Sequence, residues 1–223
     1  MNEPKPTLSV FFDFVSPYAF VAFAPLVEMA ERHGRGIEPT PVLFAALLDA
    51  HRNRGPAEIP AKRAYIFKDA YRKARTYGRP HLVLPPGHPF NPLVALRVAS
   101  LPEPLTKRIA IINALYDAAW QKGEAIDTPE AVRAVLDRAG FDGADLVMRA
   151  QSPERKAALR AATDAAIARG VFGVPTVIAD GELFFGVDSL PYVEAFLEGK
   201  DPIPKDPAAF DRPVAAARPG SGK

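Results

Sequence analysis

The residues best suited to chemistry stand near the start of the chain, where an apolar run ends in Ser16-Pro17-Tyr18-Ala19. Ser16 can cap a helix that begins at Pro17, because serine is a favoured cap and proline a favoured first helical residue. A helix N-terminus presents free N–H groups and about half a positive charge. A hydroxyl there can donate a hydrogen bond to an anion such as an ionised thiol. The chain contains no cysteine, so a ligand would have to bring that sulfur.

A plainer interpretation of Ser16 is that it only starts a helix. The same pairing of a cap residue with proline recurs at Asn91-Pro92, Thr128-Pro129 and Ser152-Pro153. The position of Ser16 favours the chemical role, because it caps the first helix after the first buried strand. In that role Ser16 stabilises a thiolate and is not itself the nucleophile.

Two further segments carry candidate site residues. Phe172-Gly173-Val174-Pro175-Thr176 is either a simple turn into a strand or a loop in which a cis Pro175 directs the Val174 backbone toward a ligand. About 5–6% of X-Pro bonds are cis, so the sequence leaves this open. At the start of the last helix, either Asp188 or Ser189 serves only as the helix cap, or the Asp188 carboxylate holds the ammonium group of a ligand.

The densest basic stretch follows in the first third of the chain. It comprises Lys62, Arg63, Lys68, Arg72, Lys73, Arg75 and Arg79, opposed only by Asp69. Spacing of three and four residues places several of these side chains on one helical face, which indicates either a solvated surface or a cleft that attracts an anionic substrate.

Several classes of protein are excluded or disfavoured. The four histidines and the carboxylates show no metal-ligand spacing, so we predict no metal site. The net charge of +2 and the confinement of basic residues to one helix argue against nucleic acid. No apolar run is long enough to span a membrane, and the N-terminus lacks the layout of a signal peptide. We therefore expect a cytoplasmic protein.

The apolar pattern places these residues on strands and helices. Strands are predicted at 8–14 and 37–43, and a hairpin at 176–185 turns at Asp180-Gly181. Pro39 and Pro41 favour an edge position for the second strand. Helices are predicted from Ser16 to Gly34, at 44–49, 65–77, 92–100, 105–121, 129–139 and 153–169, and from Ser189 to Leu197.

This order of elements predicts an α/β fold of the thioredoxin-like kind. A β-α-β half and a β-β-α half share one sheet, and a large all-helical insertion between them caps the site. We assign 8–43 and 171–198 to the thioredoxin-like domain and 44–170 to the insertion. Residues 199–223, rich in Pro, Ala and Gly, are expected to form a mobile tail.

Four motifs together carry a resemblance to a known family, and it covers roughly residues 8–198. The chain resembles 2-hydroxychromene-2-carboxylate isomerases, relatives of the kappa-class glutathione transferases in the DsbA-like branch of thioredoxin folds. The motifs are Phe12-Asp13-Phe14-Val15-Ser16-Pro17-Tyr18, Asn53-Arg54-Gly55-Pro56 with Pro60-Ala61-Lys62, Phe172-Gly173-Val174-Pro175-Thr176, and Phe184-Phe185-Gly186-Val187-Asp188.

The resemblance implies glutathione as cofactor and assigns its contacts. It implies a catalytic Ser16 at the glutathione sulfur, a contact from Asn53, main-chain bonds from Val174 beside a cis Pro175, and a γ-glutamyl end held by Val187 and Asp188. Val187 is a departure, because relatives often carry a polar residue there, so only its backbone can serve. The resemblance also implies a homodimer.

The implied partner is a small aromatic carboxylate, and here the chain departs from the family again. Leu48 and His88 stand where Lys and Tyr would be expected to hold the carboxylate. We therefore assign substrate contacts to His88 and to Lys62, which could supply the missing charge.

The leading functional hypothesis is a glutathione-dependent cis-trans isomerase that converts 2-hydroxychromene-2-carboxylate, or a related compound, to trans-o-hydroxybenzylidenepyruvate. A second possibility is a kappa-like glutathione transferase that joins the thiol to an electrophile. A third, of another class, is a non-catalytic thiol- or peptide-binding module. The sequence does not choose among substrates.

Overall fold

The computed structural model describes residues 6–203. Four strands lie in this range: Thr7–Phe12 (β1), Gly36–Pro41 (β2), Thr176–Ala179 (β3) and Glu182–Phe185 (β4). The helices are Pro17–Arg32 (α1), Phe44–Ala50 (α2), Pro60–Thr76 (α3), Leu93–Ala99 (α4), Leu105–Trp120 (α5), Pro129–Arg138 (α6), Gly143–Ala150 (α7), Pro153–Ala168 (α8) and Leu190–Leu197 (α9). Pro56–Glu58 and Val187–Ser189 form short 3₁₀ turns.

The strands form one sheet in the order β2-β1-β3-β4. β1 pairs with β2 in parallel and with β3 in antiparallel, and β3 and β4 form a hairpin. Asp180 and Gly181 at its turn both have positive φ, 49° and 93°, as a two-residue hairpin loop requires. The β-α-β and β-β-α halves therefore share one sheet, which confirms the predicted α/β fold.

The sheet is covered on both faces. Leu8, Val10 and Phe12 of β1 belong to the main core, which also includes buried residues of α1, α4, α5, α6 and α7. The intervening Phe11 belongs to a second cluster with Ile178. Because successive side chains of a strand point to opposite faces, the almost continuous apolar run of β1 is explained by burial on both sides.

Most element predictions are confirmed, with shifts at their ends. β2 lies at the edge of the sheet. There its two prolines, which have no N–H to donate, do not interrupt the hydrogen bonds of a central strand. α3 begins at Pro60, five residues before the predicted start, because proline is favoured in the first helical turn. α7 was not predicted: it has only eight residues, although Asp142 caps it by accepting from the Asp145 N–H at 2.9 Å.

The helices α2 to α8 all lie between β2 and β3 in the chain, as the predicted insertion 44–170 requires. The division into domains itself stays a prediction. Of the predicted tail 199–223, residues from 204 onward lie outside the described part. No helix within residues 6–203 is long and apolar enough to cross a membrane.

Candidate active site

A cavity of about 660 Å³ opens where the sheet meets the inserted helices. One wall comes from the loop after β1 and the first residues of α1, within residues 13–18, and from the segments at 174 and 185–188. The other wall comes from α2, the 55–58 turn, α3 and the segment 88–92. The volume is in the range of pockets for small molecules.

Ser16 lies in this cavity and also caps α1. Its hydroxyl oxygen accepts from the Ala19 N–H at 3.2 Å, and the side chain is 7% exposed. The Ser16 O–H is 3.5 Å from the carbonyl of Val174, a long and weak hydrogen bond. The capping interpretation and the chemical one are therefore compatible, because the cap uses a lone pair and leaves the proton loosely held.

Two backbone donors line the cavity beside this hydroxyl. Among residues 6–203, the N–H groups of Tyr18 and Val174 donate to no other group. The peptide bond between Val174 and Pro175 is cis, as the resemblance implied. The carbonyl of Pro175 accepts from the Gly186 N–H at 2.8 Å, which joins this loop to the end of β4.

The loop before Ser16 is held by three aromatic side chains of the inserted segment. Tyr116 O–H donates to the carbonyl of residue 13 at 3.2 Å, Trp120 Nε1–H to that of residue 14 at 2.8 Å, and His88 Nε2–H to that of residue 15 at 2.9 Å. Each of three consecutive carbonyls thus has a side-chain donor. The insertion therefore fixes the backbone that positions the Ser16 hydroxyl.

Asp13 joins the same loop to α2. Its side chain is fully buried and accepts from the Val15 N–H at 2.9 Å and from the Phe44 N–H at 2.8 Å. Burial raises the pKa of Asp13 from 3.8 to about 6, against the lowering effect of these backbone bonds. A carboxyl group whose pKa is raised to about 6 therefore lines the same cavity as Ser16.

His88 is a buried, neutral side chain. Burial lowers its pKa, and Arg63 opposes its charge as well, although the bond to Val15 favours protonation. The ring packs edge-on against Phe67 and Trp120, and within the described residues its Nδ1 has no partner. His88 lines the cavity, but it offers an aromatic edge there and not a positive charge.

Four charged or hydroxyl side chains form a group that joins the two walls of the cavity. Lys73 Nζ lies 2.8 Å from Asp69 and 2.7 Å from Asp188, and the Tyr18 hydroxyl donates to Asp69 at 2.8 Å. Burial opposes the charge of Lys73, but its two carboxylate partners raise its pKa. Burial raises the pKa of Tyr18, and the bond to Asp69 raises it further, so Tyr18 stays protonated.

The structure brings together five of the eight predicted site residues. Ser16, His88, Val174, Val187 and Asp188 line the cavity. Pro175 is buried behind it, the Val187 side chain is 1% exposed, and Asp188 makes no capping bond. Asn53 and Lys62 are exposed and are absent from the cavity wall, so their predicted contacts stay predictions.

Most of the basic stretch lies at the surface. Lys68, Arg72 and Arg75 are exposed, and so is Arg63, which also donates to the His88 carbonyl at 3.1 Å. Arg79 is partly buried and pairs with Asp117. Within residues 6–203 no cluster of three or more histidine or carboxylate side chains could hold a metal ion.

Sequence reasoning missed Asp13, Asp69 and Lys73 as cavity residues. Asp13 could have been found, since a lone carboxylate at the end of a doubly buried strand must have partners. Lys73 had no such signal, because its neighbours on α3 are solvated lysines and arginines.

The chain is similar in sequence and structure to proteins of a known family. Residues 7–198 match the family model described as a DSBA-like thioredoxin domain. The chain belongs to the DsbA-like thioredoxin family. The chain contains no cysteine, so its Ser16-Pro17-Tyr18-Ala19 turn has no sulfur of its own.

Relatives of this DsbA-like chain include isomerases and glutathione transferases. A 2-hydroxychromene-2-carboxylate isomerase of Sphingobium xenophagum is 28% identical over 86% of this chain and 97% of its own length. The glutathione S-transferase kappa 2 of Caenorhabditis elegans is 31% identical over 86% of this chain and 92% of its own length. The solved structure of a 2-hydroxychromene-2-carboxylate isomerase superposes with a TM-score of 0.79 at 27% identity, covering 86% of this chain and 95% of that one.

Proposed function

We propose that this chain is a glutathione-dependent enzyme whose leading reaction is the cis-trans isomerisation of 2-hydroxychromene-2-carboxylate, or a related aromatic-degradation intermediate, to trans-o-hydroxybenzylidenepyruvate. The observation that carries the proposal is the buried hydroxyl of Ser16, held at the N-terminus of α1 and facing a cavity of about 660 Å³. Relatives named for this isomerase and for kappa glutathione transferases support it.

The residues present fit glutathione. A peptide-like ligand needs backbone partners, and the N–H of Val174 has no partner within residues 6–203. A thiolate needs a donor and a positive potential, which Ser16 and the N-terminus of α1 provide. An amino-acid head group needs charged partners, which the Lys73–Asp188 pair could offer.

When bound, glutathione supplies the thiolate that adds to a conjugated substrate and later leaves it. Ser16 lowers the pKa of that thiol because its O–H donates a hydrogen bond to the thiolate, and the Tyr18 N–H adds a second donor. The three carbonyl bonds from Tyr116, Trp120 and His88 hold the donors in place before the ligand arrives. The apolar walls exclude water and orient the two reactants.

A kappa-like transferase reaction is the second candidate, and one observation favours it. Among described residues that line the cavity, Lys73 is the one cation, and it already pairs with Asp69 and Asp188. The positions expected to hold a carboxylate carry apolar Leu48 and neutral His88. An uncharged electrophile would fit this half of the cavity without an unpaired anion.

Three measurements separate the classes of function. Calorimetric titration with millimolar glutathione should show binding, and an absence of binding would leave only the non-catalytic module. Hydroxychromene carboxylate should then be converted only when glutathione is present. Free thiol should stay constant during isomerisation, because the thiol is returned, whereas a transferase would consume one thiol per turnover.

A further inference from the structure

A second pocket, of about 370 Å³, lies between α3 and the segment that follows it. Its α3 residues are three and four positions apart or adjacent, so they share one face of the helix, and none of the pocket residues also lines the active-site cavity. The volume is in the range of pockets that hold small molecules. The residues that line it are Phe67, Lys68, Tyr71, Arg72, Leu82 and Leu84.

Part of this pocket is apolar and already shaped. Phe67 and Leu82 are partly buried against the main core, whereas Tyr71 is 43% and Leu84 is 45% exposed. The segment 82–84 is held in place because the Val83 N–H donates to the carbonyl of residue 120 at 2.7 Å. The pocket therefore offers apolar surface to water, and a ligand with an apolar body would cover that surface favourably.

Two cations stand beside the apolar surface. Lys68 and Arg72 are both exposed, and neither forms an ion pair within residues 6–203. A third cation, Arg75, lies next to them: its Cζ is 5.7 Å from the centroid of the Tyr71 ring, and its Nη1 donates to the Tyr71 hydroxyl at 3.2 Å. Positive charge and exposed apolar side chains thus occur together at this place.

The local charge balance favours an anion. The basic stretch contains one carboxylate, Asp69, against seven lysines and arginines. Asp69 is already engaged at the active-site cavity, where Lys73 Nζ lies 2.8 Å from it and the Tyr18 hydroxyl donates to it at 2.8 Å. The two cations of the second pocket are therefore left to attract a negative charge from outside the chain.

We propose that this pocket is a second, non-catalytic binding site for an aromatic carboxylate. The ring of the ligand lies against Phe67, Leu82 and Leu84, and its carboxylate accepts from Lys68 and Arg72. A small inorganic anion would leave the apolar part uncovered, and an aromatic amine would be repelled. Binding here uses neither Ser16 nor glutathione, so the inference goes beyond the proposed function and does not rest on it.

A merely solvated basic face makes a different prediction. Its cations would stay hydrated, and an aromatic acid would bind no better than an uncharged molecule of the same shape. Replacing one of the two cations would then change no affinity. Recognition of a carboxylate instead requires that binding depend on the charge of the ligand and on these particular side chains.

The first measurement compares 2-naphthoate with 2-naphthamide on the wild-type chain by calorimetry. The two probes have nearly the same shape, but only the acid is charged. We expect the acid to bind about tenfold more tightly, because it gains two exposed ion pairs and each such pair is worth up to about fivefold in affinity.

The second measurement repeats both titrations on variants of exposed residues. Lys68→Met and Arg72→Met should each weaken 2-naphthoate by about three- to fivefold and leave 2-naphthamide unchanged. Leu84→Glu brings a carboxylate to the pocket and should weaken 2-naphthoate as well. Arg160→Met is the matched control, because Arg160 is an exposed cation of α8 without an ion pair among the described residues. The melting temperature of each variant establishes that it is folded.

Three outcomes overturn the inference. They are no binding of 2-naphthoate to the wild type, equal affinities of the acid and the amide, and losses in Lys68→Met and Arg72→Met no larger than the loss in Arg160→Met. The last result would place the probe elsewhere, for example in the active-site cavity. Glutathione is titrated separately into each variant and should bind as it does to the wild type, since the two pockets share no lining residue.

Discussion

At the scale of single residues, Ser16 shows that a structural and a chemical role can share one side chain. Its oxygen caps α1 through the Ala19 N–H, and its proton is held only by a 3.5 Å contact to the Val174 carbonyl. The sequence could predict the cap, because serine before proline has a strong positional preference. It could not predict the loosely held proton, which depends on a residue 158 positions away in the chain.

Asp13→Asn should change the pH dependence of folding. Because burial raises the pKa of Asp13 from 3.8 to about 6, the folded chain binds this proton more tightly than the unfolded chain. Its contribution to stability is therefore largest below about pH 4 and falls as the pH rises through about 6, by about 3 kcal/mol in total. We expect the free energy of unfolding of the wild type, relative to Asp13→Asn, to decrease from pH 4 to 7 in urea denaturation.

Asp49→Asn is the matched control for this prediction. Asp49 is exposed on α2, so its replacement removes a carboxylate without opening the buried loop. A difference between wild type and Asp13→Asn that stays constant from pH 4 to 7 would contradict the raised pKa.

At the scale of elements, the site depends on the segment 80–90 and on α5. Their side chains supply the donors for three consecutive carbonyls before Ser16. Helix α5 was predictable from its apolar periodicity. No sequence pattern indicated that Tyr116 and Trp120 would donate to this loop, because side-chain partners across a core depend on how the helices pack.

His88→Phe should destabilise the chain and weaken glutathione binding. Phenylalanine keeps the aromatic packing against Phe67 and Trp120 but removes the donor to the Val15 carbonyl. An unpaired carbonyl that is partly buried costs about 1–3 kcal/mol. Urea denaturation and calorimetry measure the two effects.

His81→Phe provides the comparison for this variant, since His81 is exposed in the same segment. It should change neither stability nor affinity appreciably. If His88→Phe were as stable as the wild type and bound glutathione equally well, the bond to Val15 would have no part in holding the site.

At the scale of the whole molecule, the cavity lies where the sheet and the inserted helices meet. The sheet supplies Ser16, Val174 and Asp188, and the insertion supplies Lys73 and His88. Sequence motifs predicted these three residues of the sheet side, because they belong to turns at the ends of strands with strong local signals, although Asp13 in the same loop was missed. On the insertion side, His88 was the one cavity residue that the sequence predicted, since the packing of the helices decides which helical residues face the cavity.

Glutathione should stabilise the molecule as one unit. Because both parts line the cavity, a ligand that binds only the folded chain adds about 2.7 kcal/mol at a hundredfold excess over its Kd. For a chain of this size we expect the melting temperature to rise by about 5 °C or more in a single transition. Cysteinylglycine, which lacks the γ-glutamyl head, should give a smaller shift, and a glutathione effect on only part of the melting curve would contradict the shared cavity.

The central claim is that the Ser16 hydroxyl stabilises the thiolate of bound glutathione. The most direct test is the ultraviolet thiolate absorbance of glutathione bound to the wild type and to Ser16→Ala, followed as a function of pH. We predict a bound thiol pKa below that of free glutathione in the wild type, and a rise of about one unit or more in Ser16→Ala, the worth of one hydrogen bond to a charged group. If the bound thiol has the same pKa in both proteins and binding is retained, the claim is contradicted and Ser16 acts only as a helix cap.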